Sequence, residues 1–175
     1  MKKLLIYIFC FSLLTKSFGQ TKSNCDCGAI IDINYKNEIS IFDKPNGTII
    51  QKLKHDFEKE DYLTMTILKD SSDYYKVNIS YSIKENSNVI GWLKKDNNIG
   101  TFTKNYSPKE RINLYTEPNK KSKVKTNIQN WTNQLYIIEK CNEKWVYVRI
   151  KYKGKNKEGW LEPEMQCNNP YSTCN

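Results

Sequence analysis

The chain has few glycines and prolines and a single histidine. Its 175 residues include 7 glycines, 5 prolines and 1 histidine. One histidine cannot build a zinc site of several imidazoles, and no His-Glu-x-x-His motif occurs. The few glycines form no phosphate-binding loop of the Gly-x-x-x-x-Gly-Lys type. These absences argue against the common zinc hydrolases and nucleotide-binding proteins, and we predict no cofactor and no metal.

The chain also lacks a hydrophobic run long enough to span a membrane. The longest run, residues 4–14, has about 11 residues, whereas a transmembrane helix needs about 20. It follows the lysines at 2–3 and precedes Ser-Phe-Gly at 17–19, a pattern typical of a signal-peptidase site. We therefore expect residues 1–19 to be a cleaved signal peptide. The mature protein is predicted to be periplasmic or secreted, with no lipid anchor and no transmembrane segment.

Acidic residues are in the minority, with 19 Asp and Glu against 28 Lys and Arg. The predicted leader contains three of the lysines, so the mature chain keeps a net charge of about +6. Export argues against nucleic acid as a partner, and anionic glycans or other envelope polymers fit the charge better. A solvated, lysine-rich surface is the simpler interpretation of the same charge.

Five cysteines remain after the predicted cleavage, and export favours disulfide bonds between them. A zinc site is disfavoured because no Cys-x-x-Cys spacing occurs. We predict a Cys141–Cys167 bridge that closes the second module, with Cys174 bonded to Cys25 or Cys27. The alternative is a local Cys167–Cys174 bridge, which leaves Cys141 for the N-terminal segment.

Three segments occur twice, in the same order. Residues 39–46 (ISIFDKPN) match 112–119 (INLYTEPN), 74–79 (YYKVNI) match 145–150 (WVYVRI), and the sequence GWL occurs at both 91–93 and 159–161. The offsets are about 73, 71 and 68 residues. This repeat predicts two small modules, which we place at 28–100 and 111–165. A polar tether (20–28), a linker (101–110) and a cysteine-bearing tail (166–175) complete the organisation.

The residue pattern of both copies is typical of β-strands. Short β-branched and aromatic runs alternate with Asn, Asp, Gly, Ser and Lys clusters, and no long helical periodicity appears. Strict alternation places one apolar face inward. The residues predicted to face the core are Leu63, Met65, Ile67, Tyr75, Val77 and Ile79 in the first copy and Leu135, Ile137, Val146, Val148 and Ile150 in the second.

Three large aromatic residues occupy those alternate positions of the matched segments that are predicted to face outward. Tyr74, Trp145 and Tyr147 would face away from the core. Aromatic rings along a shallow groove suit the binding of extended peptides, so we predict these three as ligand contacts. Packing between the modules is the alternative explanation. Trp92 and Trp160, beside the matched glycines, are predicted to pack structurally.

Each copy resembles a bacterial Src-homology-3 (SH3-like) domain. That family shows an Ile-x-Leu-Tyr-x-x-Pro strand, a Trp-x-x-Val strand and a Gly-Trp-Leu signature. The second copy matches at Ile112, Leu114, Tyr115, Pro118, Trp145, Val148, Gly159, Trp160 and Leu161, and the first copy has Phe42 for the tyrosine and Tyr74 for the tryptophan. The resemblance implies small barrels of five to six strands and a binding role, often toward peptidoglycan.

These observations predict an all-β protein made of two consecutive small SH3-like barrels. The predicted function is that of a non-catalytic exported binding module that contacts cell-wall peptide or glycan, or an envelope partner protein. The alternatives are a cell-wall hydrolase that uses His55 with a cysteine or a carboxylate, and a structural accessory subunit of an envelope complex. We interpret His55 as a solvated loop residue and predict that the protein is not an enzyme.

Overall fold

A computed structural model describes residues 24–104, 107, 109–129, 133–171 and 174. The predicted signal peptide lies outside these residues. The fold is all-β as predicted, with no α-helix in the described part of the chain. A 3₁₀ turn, Pro163–Met165, precedes the last strand. The strands are β1 (Asn24–Ile31), β2 (Ile39–Phe42), β3 (Ile49–Leu53), β4 (Leu63–Asp70), β5 (Tyr74–Tyr81), β6 (Val89–Lys94), β7 (Ile99–Thr103), β8 (Arg111–Tyr115), β9 (Val124–Gln129), β10 (Tyr136–Asn142), β11 (Trp145–Tyr152), β12 (Lys155–Leu161) and β13 (Gln166–Cys167).

The strands form one continuous antiparallel sheet whose two halves have the same strand order. Read from the edge inward, the first half is β3-β2-β6-β5-β4 and the second half is β9-β8-β12-β11-β10. Strands β1 and β7 lie between β4 and β10 and join the halves, while β13 pairs with β7. The sheet is open, with β3 and β9 as its two edges. Within the described residues, no helix is long and apolar enough to cross a membrane.

The strand register supports the internal alignment residue by residue. Trp92 lies opposite Phe42 and Lys76, and Trp160 lies opposite Tyr115 and Tyr147. Each half also has a register shift at the same place in its inner strand, between Ile67 and Lys69 in β4 and between Ile138 and Lys140 in β10. The two halves therefore share their pairing geometry as well as their strand order.

The glycines of the two GWL segments are needed because a neighbouring strand passes close to them. A Cβ atom on Gly91 would lie 2.3 Å from Cγ2 of Ile41, and one on Gly159 would lie 2.9 Å from Cβ of Leu114. Any side chain would push β2 or β8 away from its partner strand. This close approach explains why the same signature stands in both halves.

Most of the predicted inward residues are buried. Leu63, Met65 and Ile67 line the core of the first half, and the inward residues of β5 and β11 are also buried. The prediction is wrong for Leu135 and Ile137, because their neighbours Tyr136 and Ile138 are the buried residues. Residues 135–138 are all apolar or aromatic, so alternation cannot choose between the two faces there.

The described end of the predicted tether and the start of the predicted linker belong to strands at the centre of the sheet. Residues 24–28 begin β1, which buries Cys25, Cys27 and Ala29, and residues 101–103 belong to β7, which buries Thr101 and Thr103. The Thr101 hydroxyl donates to the Cys167 carbonyl at 3.0 Å. Hydrogen bonding of this kind lets polar residues occupy a central strand.

The disulfide bonds follow the alternative arrangement. Cys27 is bonded to Cys141, and Cys167 is bonded to Cys174. The favoured Cys141–Cys167 pairing is wrong because β1 lies near β10 and brings Cys27 to Cys141. Cys25 keeps a buried thiol that donates to the Cys141 carbonyl at 3.3 Å.

The two halves share one contiguous hydrophobic core. A polar network also crosses between them: Nζ of Lys95 lies 2.6 Å from Asp70, and the other Asp70 oxygen accepts from the Cys141 backbone N–H at 2.8 Å. The Tyr75 hydroxyl donates to the Ile138 carbonyl at 3.0 Å, and burial raises the pKa of that phenol. The halves are thus fixed against each other by buried contacts.

Candidate functional site

Tyr74 does not present its ring to solvent. Its side chain is 6% exposed, the Phe42 ring covers it edge-on at 5.9 Å, and its hydroxyl donates to the Asn46 side chain at 3.1 Å. Asn46 reaches this position from a tight turn in which it adopts a positive φ of 57°. The expectation of an exposed ring at Tyr74 is therefore wrong, and this tyrosine contributes to packing.

Trp145 and Tyr147 lie on one face of β11 and are both half-exposed. Trp145 packs edge-on against Tyr115 at 5.7 Å, and Tyr147 packs edge-on against Trp160 at 5.5 Å. We call Trp145, Tyr147, Trp160 and Tyr115 the aromatic row, since they cross three neighbouring strands. Of the three predicted ligand contacts, the structure brings Trp145 and Tyr147 together, whereas Tyr74 lies in the other half.

Two lysines flank the ring of Tyr147. Nζ of Lys140 lies 5.7 Å from the ring centre, within the range of cation–π attraction, and Nζ of Lys125 lies 5.4 Å from it at the hydroxyl end of the ring. Lys125 also donates to the Tyr147 hydroxyl at 2.9 Å and to Glu158 at 2.8 Å. The hydrogen bond with Glu158 raises the pKa of Lys125 and lowers that of Glu158. An ion pair, Lys125 with Glu158, thus lies beside the aromatic row, and Lys140 adds a flanking lysine that is ion-paired with no described residue.

The corresponding surface of the first half has different chemistry. The register places Ile50 where the second half has Lys125, and Ile90 where it has Glu158. Both isoleucines are more than half exposed, at 51% and 58%. Lys76 stands in the position of Tyr147. The first half thus presents apolar residues where the second presents an ion pair.

Charge divides the halves in the same way. Residues 28–100 contain 10 basic and 11 acidic residues, whereas residues 111–165 contain 12 basic and 6 acidic residues. The second half therefore carries about +6 and the first about −1. This asymmetry is visible in the sequence once the repeat is recognised, and counting each module separately would have pointed to the second half as the cationic surface.

His55 is buried, at 3% exposure, so its interpretation as a solvated loop residue is wrong. Its Nδ1 accepts from the Leu63 backbone N–H at 3.0 Å, and its Nε2 lies 3.0 Å from the Asp32 carbonyl oxygen, to which it must donate. These partners fix the neutral ring with its proton on Nε2. Burial lowers the pKa of the imidazole below its ordinary value. The ring connects three backbone segments.

Among the residues that the structure describes, no group of three or more His, Cys, Asp or Glu side chains could hold a metal ion. The acidic pair Glu162 and Glu164 instead forms ion pairs with Lys120, at 2.8 and 3.3 Å. Asp61, another acidic residue, is buried and accepts from the backbone N–H groups of Ile83 and Lys84. These carboxylates have structural partners.

No protein-family model matches this chain, and no characterised protein shows significant sequence similarity to it. The function must therefore be inferred from the residues and geometry described above.

Proposed function

We propose that the protein is an exported, non-catalytic binding module that holds cell-wall peptide or glycan chains against the aromatic row of its second half. The half-exposed rings of Trp145 and Tyr147, flanked by Lys125 and Lys140, carry this proposal. Flat rings pack against sugar rings and extended backbones at a small entropic cost, because they have few rotatable bonds. Lys140, which is ion-paired with no described residue, adds attraction for anionic groups of such polymers.

The shared strand order and register support a finer assignment of the fold, in which each half is an SH3-like unit. In both halves the landmark segments lie next to one another in the sheet, with Phe42 opposite Trp92 and Tyr115 opposite Trp160. The close approach at Gly91 and Gly159 gives the GWL signature a common structural cause. Fold alone does not define function, so the aromatic row remains the basis of the functional proposal.

Two disulfide bonds support an oxidising, exported location, either periplasmic or secreted. The environment of His55 argues against the hydrolase alternative, because both ring nitrogens already bond to backbone groups. A general base needs a nitrogen within reach of a substrate proton.

An envelope protein is the second candidate partner, and the first half favours it. Ile50 and Ile90 are exposed, and Ile50 lies on β3, an edge strand of the open sheet. Exposed apolar residues on an edge strand are typical of protein-docking surfaces. This candidate corresponds to an accessory subunit of an envelope complex.

The test compares retention on purified peptidoglycan sacculi. Trp145→Ala and Tyr147→Ala should each lower retention about 10-fold, because truncating an aromatic anchor costs about 1–3 kcal/mol of binding energy. The matched control is Trp92→Ala, which removes a half-exposed tryptophan from the first half and should leave retention unchanged. Thermal unfolding must show that each variant is folded.

Two results would contradict wall binding at the aromatic row. One is undiminished retention of Trp145→Ala and Tyr147→Ala. The other is no retention of the wild-type protein on sacculi together with stoichiometric capture of one envelope protein, which favours the accessory role.

A further inference from the structure

The hairpin between β11 and β12 concentrates positive charge in the second half. Residues 151–157 read KYKGKNK, with four lysines and no acidic residue. Lys153 and Gly154 form its two-residue turn with φ values of 48° and 75°, as in a type I′ hairpin. Such a short turn fixes where the flanking lysines lie. The matched hairpin loop of the first half, residues 82–88, contains one lysine and one glutamate.

This hairpin forms one wall of a cleft, and the edge strand β9 forms the other. The Tyr152 hydroxyl donates to the Gln129 carbonyl and so joins the two walls. The cleft has a volume of about 450 Å³. Its lining carries cationic and polar groups and no carboxylate: Asn127, Gln129, Tyr152, Lys153, Lys155 and Lys157.

The cleft lysines, Lys153, Lys155 and Lys157, form no ion pair with any residue that the structure describes. Glu139 pairs with Arg149 at 2.6 Å, Glu158 pairs with Lys125, and Glu162 and Glu164 pair with Lys120. The nearby carboxylates are thus neutralised elsewhere. The positive potential of the cleft is left uncompensated, and a concave surface focuses it.

We propose that this cleft binds the oxyanions of a linear anionic polymer. Lys155 and Lys157 are two residues apart on one strand, so they repeat about every 6.6 Å along it. A chain with one oxyanion per unit can follow that repeat, and the side-chain amides of Asn127 and Gln129 can donate to the remaining oxygens. The oxyanions can be phosphates or carboxylates. This site is separate from the aromatic row and does not depend on the function proposed above.

The experiment measures the binding of polyphosphate and of polygalacturonate to the full exported chain by calorimetry, with neutral dextran as the blank. The double variant Lys155→Gln/Lys157→Gln should bind about 10-fold more weakly, since each exposed ionic contact contributes about 3-fold. The matched control is Lys121→Gln/Lys123→Gln, which removes the same charge from exposed lysines outside the cleft. It should change binding less than about 2-fold, and added salt should weaken wild-type binding.

The polymer that binds more tightly identifies the preferred oxyanion. Equal losses in both double variants would overturn the proposal, because they would indicate only the general charge of the second half. Absence of binding to both polymers, or equal binding to dextran, would overturn it as well. Retention of Trp145→Ala and Tyr147→Ala on sacculi tests the aromatic row separately, so either proposal can fail alone.

Discussion

The two halves of this protein share one scaffold and present different surfaces. Their strand orders, register shifts and close glycine contacts correspond. At matched outward positions, Ile50 and Ile90 in the first half stand where Lys125 and Glu158 form an ion pair in the second. The inward residues of both halves remain apolar.

This difference shows which positions define the fold and which are open to function. A β-strand alternates its side chains, so the inward set can keep the scaffold while the outward set changes. The first half has become a nearly neutral, partly apolar surface, whereas the second has become cationic and aromatic. A single ligand is therefore not expected to contact both halves in the same way.

The largest expected effect comes from the disulfide that ties the second half to the centre of the sheet. Cys141→Ala breaks the Cys27–Cys141 bond, which spans a sequence separation of 114, and should lower the free energy of unfolding by about 4–5 kcal/mol. Cys174→Ala breaks the bond of separation 7 and should cost about 2–3 kcal/mol. Urea denaturation without reductant measures both losses. An equal or larger loss for Cys174→Ala would contradict this ranking.

The buried polar contact between the halves comes next. Asp70→Ala would leave Lys95, whose side chain is 20% exposed, without its carboxylate and the Cys141 N–H without its acceptor. We expect a loss of about 3 kcal/mol in the free energy of unfolding. Asp70→Asn keeps an acceptor and should lose less.

The control for this prediction is the exposed ion pair between Lys52 and Glu38, at 3.7 Å. Glu38→Ala should change stability by less than about 1 kcal/mol, because solvent screens exposed pairs. Similar losses for Asp70→Ala and Glu38→Ala in urea denaturation would show that the polar network between the halves adds little to their association.

The buried histidine makes the first half sensitive to mild acid. Because the pKa of His55 is lowered on folding, the unfolded chain binds its proton more readily. The contribution to stability is therefore complete above a pH of about 6.5 and declines as the pH falls from there toward the lowered folded-state pKa. The slope from one such group is at most about 1.4 kcal/mol per pH unit. The measurement compares the free energy of unfolding of the wild type and of His55→Gln between pH 7 and 5. The difference between the two curves is the contribution of His55, and parallel curves would refute the prediction.

The alternation of inward and outward residues and the internal repeat could be predicted from the sequence, because both can be read from short stretches of the chain. Leu63, Met65 and Ile67 are separated by polar residues, so only one strand orientation buries them. Two members of the aromatic row were predicted for the same reason, since Trp145 and Tyr147 occupy alternate positions that face outward. Tyr74 occupies an outward position too, but the Phe42 ring covers it and Asn46 accepts from its hydroxyl. Alternation within one strand carries no information about such neighbours.

The features that could not be predicted depend on contacts distant in sequence. The first residues of β1 and the last residues of β7 fall in the predicted tether and linker, and their central place depends on pairing with β4 and β10. The pairing of Cys27 with Cys141 follows from that placement. The burial of His55 in its loop could not be predicted because its backbone partners, Asp32 and Leu63, come from other segments. The basic cleft also requires β9 to lie beside the β11–β12 hairpin.

The smallest expected effect on stability comes from exchanging the outward pair between the halves. Ile50→Lys/Ile90→Glu gives the first half the pair that the second half has at Lys125 and Glu158. Because the two isoleucines are exposed, the free energy of unfolding should change by less than about 0.5 kcal/mol in urea. The exchange should instead reduce any self-association seen by sedimentation, since it removes an apolar patch beside an edge strand. A loss of several kcal/mol would mean that Ile50 and Ile90 belong to the core of the scaffold, and that the outward positions are less open to change than the comparison of the halves indicates.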